Sequence, residues 1–134
     1  MEITADSVPG REELTALYDS VGWTAYTRDR DTLERAVAGS QLVLAARDDA
    51  GVLIGLARTV SDGVVICYLQ DLLVRPSHQG RGIGRALLER VLAENSSCRQ
   101  VVLMTDADGP TEFYRSLGFR AMSEYGLAGY ALAR

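Results

Sequence analysis

Hydrophobic and polar positions alternate in two different periods along the 134-residue chain. In REELTALYDSVGW (11–23), after a break at Pro9 and Gly10, Leu14, Leu17, Tyr18 and Val21 recur at helical spacing. RDTLERAVAGS (30–40) predicts a second short helix, with Asp31 as N-cap and Gly39 as its stop. EITA (2–5) reads as a short edge strand. QLVLAARDD (41–49) and GVLIGLARTVSD (51–62) are apolar, β-branched runs parted by Asp48, Asp49 and Gly51, which predicts a hairpin. Asp62-Gly63 predicts a tight turn, followed by a strand from Val64 to Val74 that Pro76 ends. A helix is predicted from about Gly82 to Asn95, with Ile83, Ala86, Leu87, Val91 and Leu92 on one face and an Arg85–Glu89 pair on the other. RQVVLMTD (99–106) reads as a buried strand. GPTEFYRSLGF (109–119) reads as a short helix opened by Pro110 and closed by Gly118. The tail FRAMSEYGLAGYALAR (119–134) is expected to carry one or two terminal strands.

The predicted order is β α α β β β α β α β(β). Hairpins make its first part antiparallel, whereas the strand-helix-strand passage from Val64 to Thr105 requires a parallel pair, so the sheet is mixed. The length suits a single domain spanning 1–134.

Composition narrows the partners. The formal charge is -4, which disfavours nucleic-acid binding by bulk electrostatics. No run approaches the ~18 apolar residues of a membrane span, and the N-terminus lacks the basic and apolar regions of a signal peptide, so a cytoplasmic location is expected. All 14 basic residues are Arg; with no Lys there is no lysine nucleophile, Schiff base or P-loop lysine. Cys67 and Cys98 lack the spacing of a metal site or disulfide framework. His78 reads as a surface residue, and no metal is expected.

Between the strand and the main helix lies QGRGIG, Gln79 to Gly84. A P-loop needs a Lys, and a dinucleotide fingerprint needs glycine where Arg85 stands, so both are excluded. What remains is an anion cradle: a helix N-terminus offers unpaired N–H groups and partial positive charge. Gly80, Gly82 and Gly84 would let a pyrophosphate approach the amides, and Arg81 and Arg85 add charge.

The loop fits the Q/R-x-x-G-x-G/A pattern, and together with YLQDLLVRPSHQGRGIGRALLERVL and the later FYRSLGF it resembles the GCN5-related N-acetyltransferases (GNAT), in particular small bacterial and plastid-type members. The resemblance implies an α+β GNAT fold: a central, mixed, largely antiparallel sheet of six to seven strands flanked by about four helices. It implies acetyl-CoA as donor, bound through its pyrophosphate at Gln79, Gly80, Arg81, Gly82, Ile83, Gly84 and Arg85. The pantetheine arm would pair with the backbone of Leu72, Leu73 and Val74. Asp106 and Asp108 stand where many relatives place a pantetheine-contacting Asn, and serving the acceptor amine is the alternative for Asp106.

The chemistry implied is transfer of acetyl to a primary amine of a small molecule, an aralkylamine or polyamine-like amine, by direct attack in a ternary complex. Acetylation of a protein N-terminus or lysine, and a non-catalytic acyl-CoA-binding module, remain as alternatives. Tyr114 matches the family's general acid for the thiolate. Asp71, a lone carboxylate in an apolar strand, is costly to bury without a partner or a task. It is expected either as the base, acting through water, or as a structural carboxylate that caps amides or orients the acceptor. Trp23, Tyr26, Tyr68 and Gln70 are the expected acceptor-side residues, and a homodimer is a family expectation.

Overall fold

The computed structural model describes residues 1–5 and 7–134, which divide into two compact units, 1–104 and 105–134. The first holds a five-stranded sheet in the order β1-β2-β3-β4-β5: β1 (Glu2–Thr4), β2 (Leu42–Arg47), β3 (Leu53–Ser61), β4 (Ile66–Val74) and β5 (Gln100–Leu103). The first three pairings are antiparallel and β4 pairs with β5 in parallel, as the hairpins and the crossover require. Its helices are α1 (Arg11–Ser20), α2 (Thr24–Thr27), α3 (Arg30–Ala38) and α4 (Ile83–Glu94).

β3 is buried along both faces from Leu53 to Thr59, the state of a strand covered by helices on each side. Leu14, Leu17 and Tyr18 of α1 and Leu33 and Val37 of α3 form one core with Ala45, Leu53, Leu56 and Leu73. α4 presents Ile83, Leu87, Leu88 and Val91 as its buried stripe and packs on β3. The approach is close at Gly55, where an added Cβ would meet Leu87 Cδ1 at 3.2 Å, Ile83 Cγ2 at 3.3 Å and the Leu73 carbonyl at 3.3 Å. Gly55→Ala is therefore expected to cost about 1–3 kcal/mol by overpacking, read as a lower midpoint in urea. An unchanged midpoint would mean that α4 sits farther from β3.

The second unit contains α5 (Thr111–Ser116) and a 3-10 turn at Met122–Tyr125. Several expectations are corrected. The described residues contain five strands rather than six or seven, because the tail after Tyr125 forms no strand. Leu127, Tyr130 and Leu132 are exposed there, and a strand without a neighbour has no ladder to satisfy its backbone. β5 is consequently the sheet's edge, and Val101 to Leu103 are half-buried rather than buried. The described residues contain five α-helices; α2, with four residues, is too short for periodicity to reveal. α3 is capped by Asp29, whose side chain accepts from Thr32 N at 3.1 Å, while the expected cap Asp31 pairs with Arg11. β4 starts at Ile66 rather than Val64 because Asp62 Oδ1 accepts from the amides of Val64, Val65 and Ile66 and holds them in the turn. Among the described residues, no helix is long and apolar enough to cross a membrane.

Candidate functional site

The glycine loop ends in α4. Gly80 and Gly82 take φ values of +77° and +82°, a left-handed conformation that side chains disfavour, and Gly82 is the N-cap of the helix. Nothing lies within 4 Å of an added Cβ at either position, so it is backbone conformation rather than crowding within the chain that calls for glycine. Gly82→Ala is expected to cost about 1–2 kcal/mol from the left-handed conformation alone, measurable by urea unfolding; no loss would contradict that backbone geometry. The first helical bond in this stretch runs from Ala86 N to Gly82 O at 3.0 Å, and first-turn amides of any helix lack partners within it. Gln79 ties the loop to the end of β4, donating from Nε2 to Val74 O at 3.0 Å. Arg81 is exposed, Ile83 is buried in the core stripe, Gly84 lies in the first turn, and Arg85 pairs with Glu89 at 3.0 Å. An open, positively edged cradle at a helix N-terminus suits a diphosphate, so these residues fit the pyrophosphate expected from sequence.

β4 carries the second feature. Its parallel pairing with β5 ends at Leu69↔Leu103, whereas its pairing with β3 continues to Val74↔Gly55. Among the described residues, Leu72, Leu73 and Val74 therefore have a strand partner on one side only. Arg58 faces Asp71 and Thr59 faces Leu69, which leaves Gln70 as the extra residue of a β-bulge. β4 and β5 thus part at the residue just before the bulge.

The bulge aims a buried polar cluster at α1 and α2. Asp71 is 3% exposed, and its Oδ2 accepts from Arg58 Nε at 2.5 Å and from the Tyr18 hydroxyl at 2.9 Å. Its Oδ1 accepts from the Tyr26 hydroxyl at 2.8 Å. Gln70 Nε2 donates to Tyr26 Oη at 3.2 Å. Arg58 is 6% exposed. Burial opposes its charge, but hydrogen bonding and attraction to Asp71 outweigh that, holding the guanidinium pKa above its ordinary value. Burial and the Asp71 carboxylate likewise push the Tyr18 phenol far above the usual range. The carboxylate expected as a base is, in this structure, the counter-ion of Arg58, and accepting a proton would break a buried ion pair. Its partners are a guanidinium and two phenols, rather than the backbone amides that a capping carboxylate would hold.

Trp23 and Tyr26 are half-buried and stack with Tyr18: ring centroids lie 5.9 Å apart for Tyr18–Trp23, 5.0 Å for Tyr18–Tyr26 and 6.2 Å for Trp23–Tyr26. Tyr68, also half-buried, is raised in pKa mainly by burial and then by its neighbours Tyr26 and Asp71, while a hydrogen bond from the Met104 backbone opposes the rise. The structure thus gathers Tyr26, Gln70, Tyr68 and Asp71 at the bulge, with Trp23 behind Tyr26. Sequence reasoning missed Tyr18, which reads as an ordinary apolar helix position, and Arg58. The latter carried a signal: it is a lone charge inside an apolar strand, as Asp71 is in the next.

In the second unit, Tyr114 is half-buried on α5 between Phe113 and Phe119, with ring centroids at 5.2 and 5.9 Å. Burial raises its phenol pKa above the ordinary value. Asp106 is exposed, and its carbonyl accepts from Gly109 N at 2.8 Å in a turn where Gly109 admits no Cβ. Among the described residues no group of His, Cys, Asp and Glu is arranged to hold a metal.

A family model described as an acetyltransferase (GNAT) domain matches residues 38–121. Among curated proteins, the histone acetyltransferase TAP1 of Glycine max is 33% identical over 124 residues, covering 84% of this chain and 52% of that protein. The chloroplastic serotonin N-acetyltransferase 2 of Oryza sativa subsp. japonica is 35% identical over 112 residues, covering 80% and 55%. The chain spans about half the length of these curated relatives. Among solved structures, a GNAT-family acetyltransferase from Streptococcus pneumoniae TIGR4 has a TM-score of 0.86 at 34% identity, covering 99% of this chain and 97% of that one. An aminoglycoside 6'-N-acetyltransferase complexed with coenzyme A has a TM-score of 0.70 at 21% identity over 88% of this chain and 84% of that one, a likeness of fold alone.

Proposed function

Because the chain belongs to the acetyltransferase (GNAT) family, we propose that it is an acetyl-CoA-dependent N-acetyltransferase acting on a small primary amine with an aromatic body. The observation that supports this acceptor class is charge balance at the bulge. Asp71 is neutralised by Arg58, and the groups around the pair are phenols, an indole and the Gln70 amide. Aromatic faces and a neutral hydrogen-bonding set suit an aryl-alkylamine. A polyamine would call for uncompensated carboxylates, which this cluster does not offer.

Coenzyme A, when bound, supplies an acetyl group activated as a thioester. We assign its pyrophosphate to the amides from Gly80 to Arg85, including Ile83 and Gly84, with the Arg81 and Arg85 guanidiniums as counter-charges and Gln79 as the tie that shapes the loop. The one-sided backbone of Leu72, Leu73 and Val74 receives the pantetheine arm, and one N–H there polarises the carbonyl oxygen. Asp106 is the remaining pantetheine contact. An alkylammonium, with a pKa of ~10.4, must lose its proton before its nitrogen can form the new C–N bond. Water takes that proton, since Asp71 is committed to Arg58; Tyr68 and Gln70 orient the amine. Tyr114 would serve as the general acid, supplying the proton that the coenzyme A thiolate takes up on leaving.

A panel of aryl-alkylamines, linear polyamines and histone-tail peptides, assayed by thiol release from acetyl-CoA, tests the acceptor class. The aryl-alkylamines are expected to lead in kcat/KM by about tenfold or more, the scale of a few lost contacts. A lead for polyamines would sink the charge-balance argument. A lead for the peptides would favour protein acetylation, the second reading, which the name of the soybean relative supports.

A further inference from the structure

Helix α2 has little to hold it by itself. It is four residues long, carries no side-chain N-cap bond and contains no buried residue, and a helix of that length has no intrinsic stability in water. Its backbone joins α1 through Trp23 N donating to Tyr18 O at 3.1 Å, and Thr27 Oγ1 donates to Asp19 Oδ1 at 2.5 Å. The rings of Trp23 and Tyr26 pack against the core, and the polar link of α2 to the sheet is the Tyr26 hydroxyl, which meets Asp71 at 2.8 Å, Gln70 at 3.2 Å and Arg58 Nη2 at 3.4 Å. Arg58 also stands with Cζ 5.8 Å from the Tyr26 ring centroid, a cation–π distance.

The same guanidinium reaches α3. Nη1 donates to Ala36 O at 3.5 Å and Ser40 Oγ at 3.4 Å, at the C-terminal end of that helix, where a cation is favoured. One side chain on β3 therefore fastens β4 through Asp71, α2 through Tyr26 and the end of α3 through the Ala36 carbonyl and the Ser40 hydroxyl. A planar fork with donors in fixed directions can do this, and the point charge of a lysine cannot.

We propose that Arg58 is a positioning residue for the acceptor side: paired with Asp71 across the bulge, it fixes Tyr26 and with it the α2 segment bearing Trp23. The kinetic consequence rests on the N-acetyltransferase reading; the positional one does not. Holding α2 places the aromatic surface at a fixed distance from the one-sided stretch of β4, so loosening it weakens the acceptor while leaving the donor's contacts intact.

Trp23 is the only tryptophan in the chain, so its emission reports on α2 alone. Two variants separate position from folding. Tyr26→Phe removes only the hydroxyl. Arg58→Leu combined with Asp71→Leu removes both charges together, an exchange that buried ion pairs tolerate far better than the loss of one partner. Both are expected to make Trp23 more open to acrylamide quenching. Both should raise the acceptor KM by about tenfold, the effect of one or two lost hydrogen bonds, with the Kd for acetyl-CoA within about twofold of the parent. Unchanged quenching and KM in folded variants would overturn the proposal, leaving the pair a packing element only. If the double variant does not fold, Tyr26→Phe decides. If the parent protein binds acetyl-CoA but acetylates no amine, the enzymatic reading fails, and the quenching of the two variants alone supports or overturns the role of Arg58.

Discussion

Asp71→Ala is expected to cost the fold about 3–5 kcal/mol, the range for breaking a buried ion pair from one side. The reason is what the substitution leaves behind rather than what it removes. Arg58, 6% exposed, would keep its charge with its nearest remaining partners at 3.4 Å or beyond, and the Tyr18 hydroxyl, fully buried, would lose its acceptor. Domains of this size are stable by only about 5–15 kcal/mol, so such a loss is large enough to unfold part of the population at 37 °C. Urea unfolding of Asp71→Ala and of the paired Arg58→Leu/Asp71→Leu variant checks the reasoning: the single variant should fall far below the double. If the two were equally stable, or the single variant lost less than about 1 kcal/mol, as exposed pairs do, the pair would not be buried in the way described.

Tyr114→Phe is expected to lower kcat by about a hundredfold or more, the contribution of a positioned general acid, with the Kd for acetyl-CoA little changed. Burial between Phe113 and Phe119 raises the phenol pKa above its usual value of ~10. The protonated form, which donates, thus prevails throughout the neutral range. The sign of the Tyr114 contribution follows: it is complete through neutrality, where deprotonation of the amine makes the rate rise with pH. It is lost only as the pH rises above the ordinary phenol pKa of ~10 and the phenol ionises. The Phe variant should lack that alkaline limb. An undiminished kcat in Tyr114→Phe would remove Tyr114 from the mechanism.

What could be read from the chain, and what could not, divides by range. The glycine turn was legible because its determinants are local: glycines and arginines within a few residues of a helix start, at Gly80, Gly82 and Arg85. The parallel β4–β5 pair was legible because a strand-helix-strand passage of that length permits little else. The role of Asp71 was not. Its environment depends on register, and the bulge at Gln70 sets which residue of β3 it faces; no periodicity within one strand specifies that. Arg58 was visible as a lone charge, yet only the pairing of two strands turns two isolated oddities into one ion pair. Tyr18 fitted the apolar stripe of α1 so well that its hydroxyl went unread. At the tail the error ran the other way. Leu127, Tyr130 and Leu132 looked like strand material, but they are spaced by three and then two residues, with no sustained alternation to hold a strand.

The most direct measurement is mass spectrometry of the products after incubation with isotopically labelled acetyl-CoA and an aryl-alkylamine. The expected result is one labelled acetyl group on the amine nitrogen for each coenzyme A released, strongly reduced by Tyr114→Phe. Saturable binding of acetyl-CoA with no labelled amine from any class of acceptor would contradict it, and would mark the chain as a module that holds the donor without transferring its acetyl group.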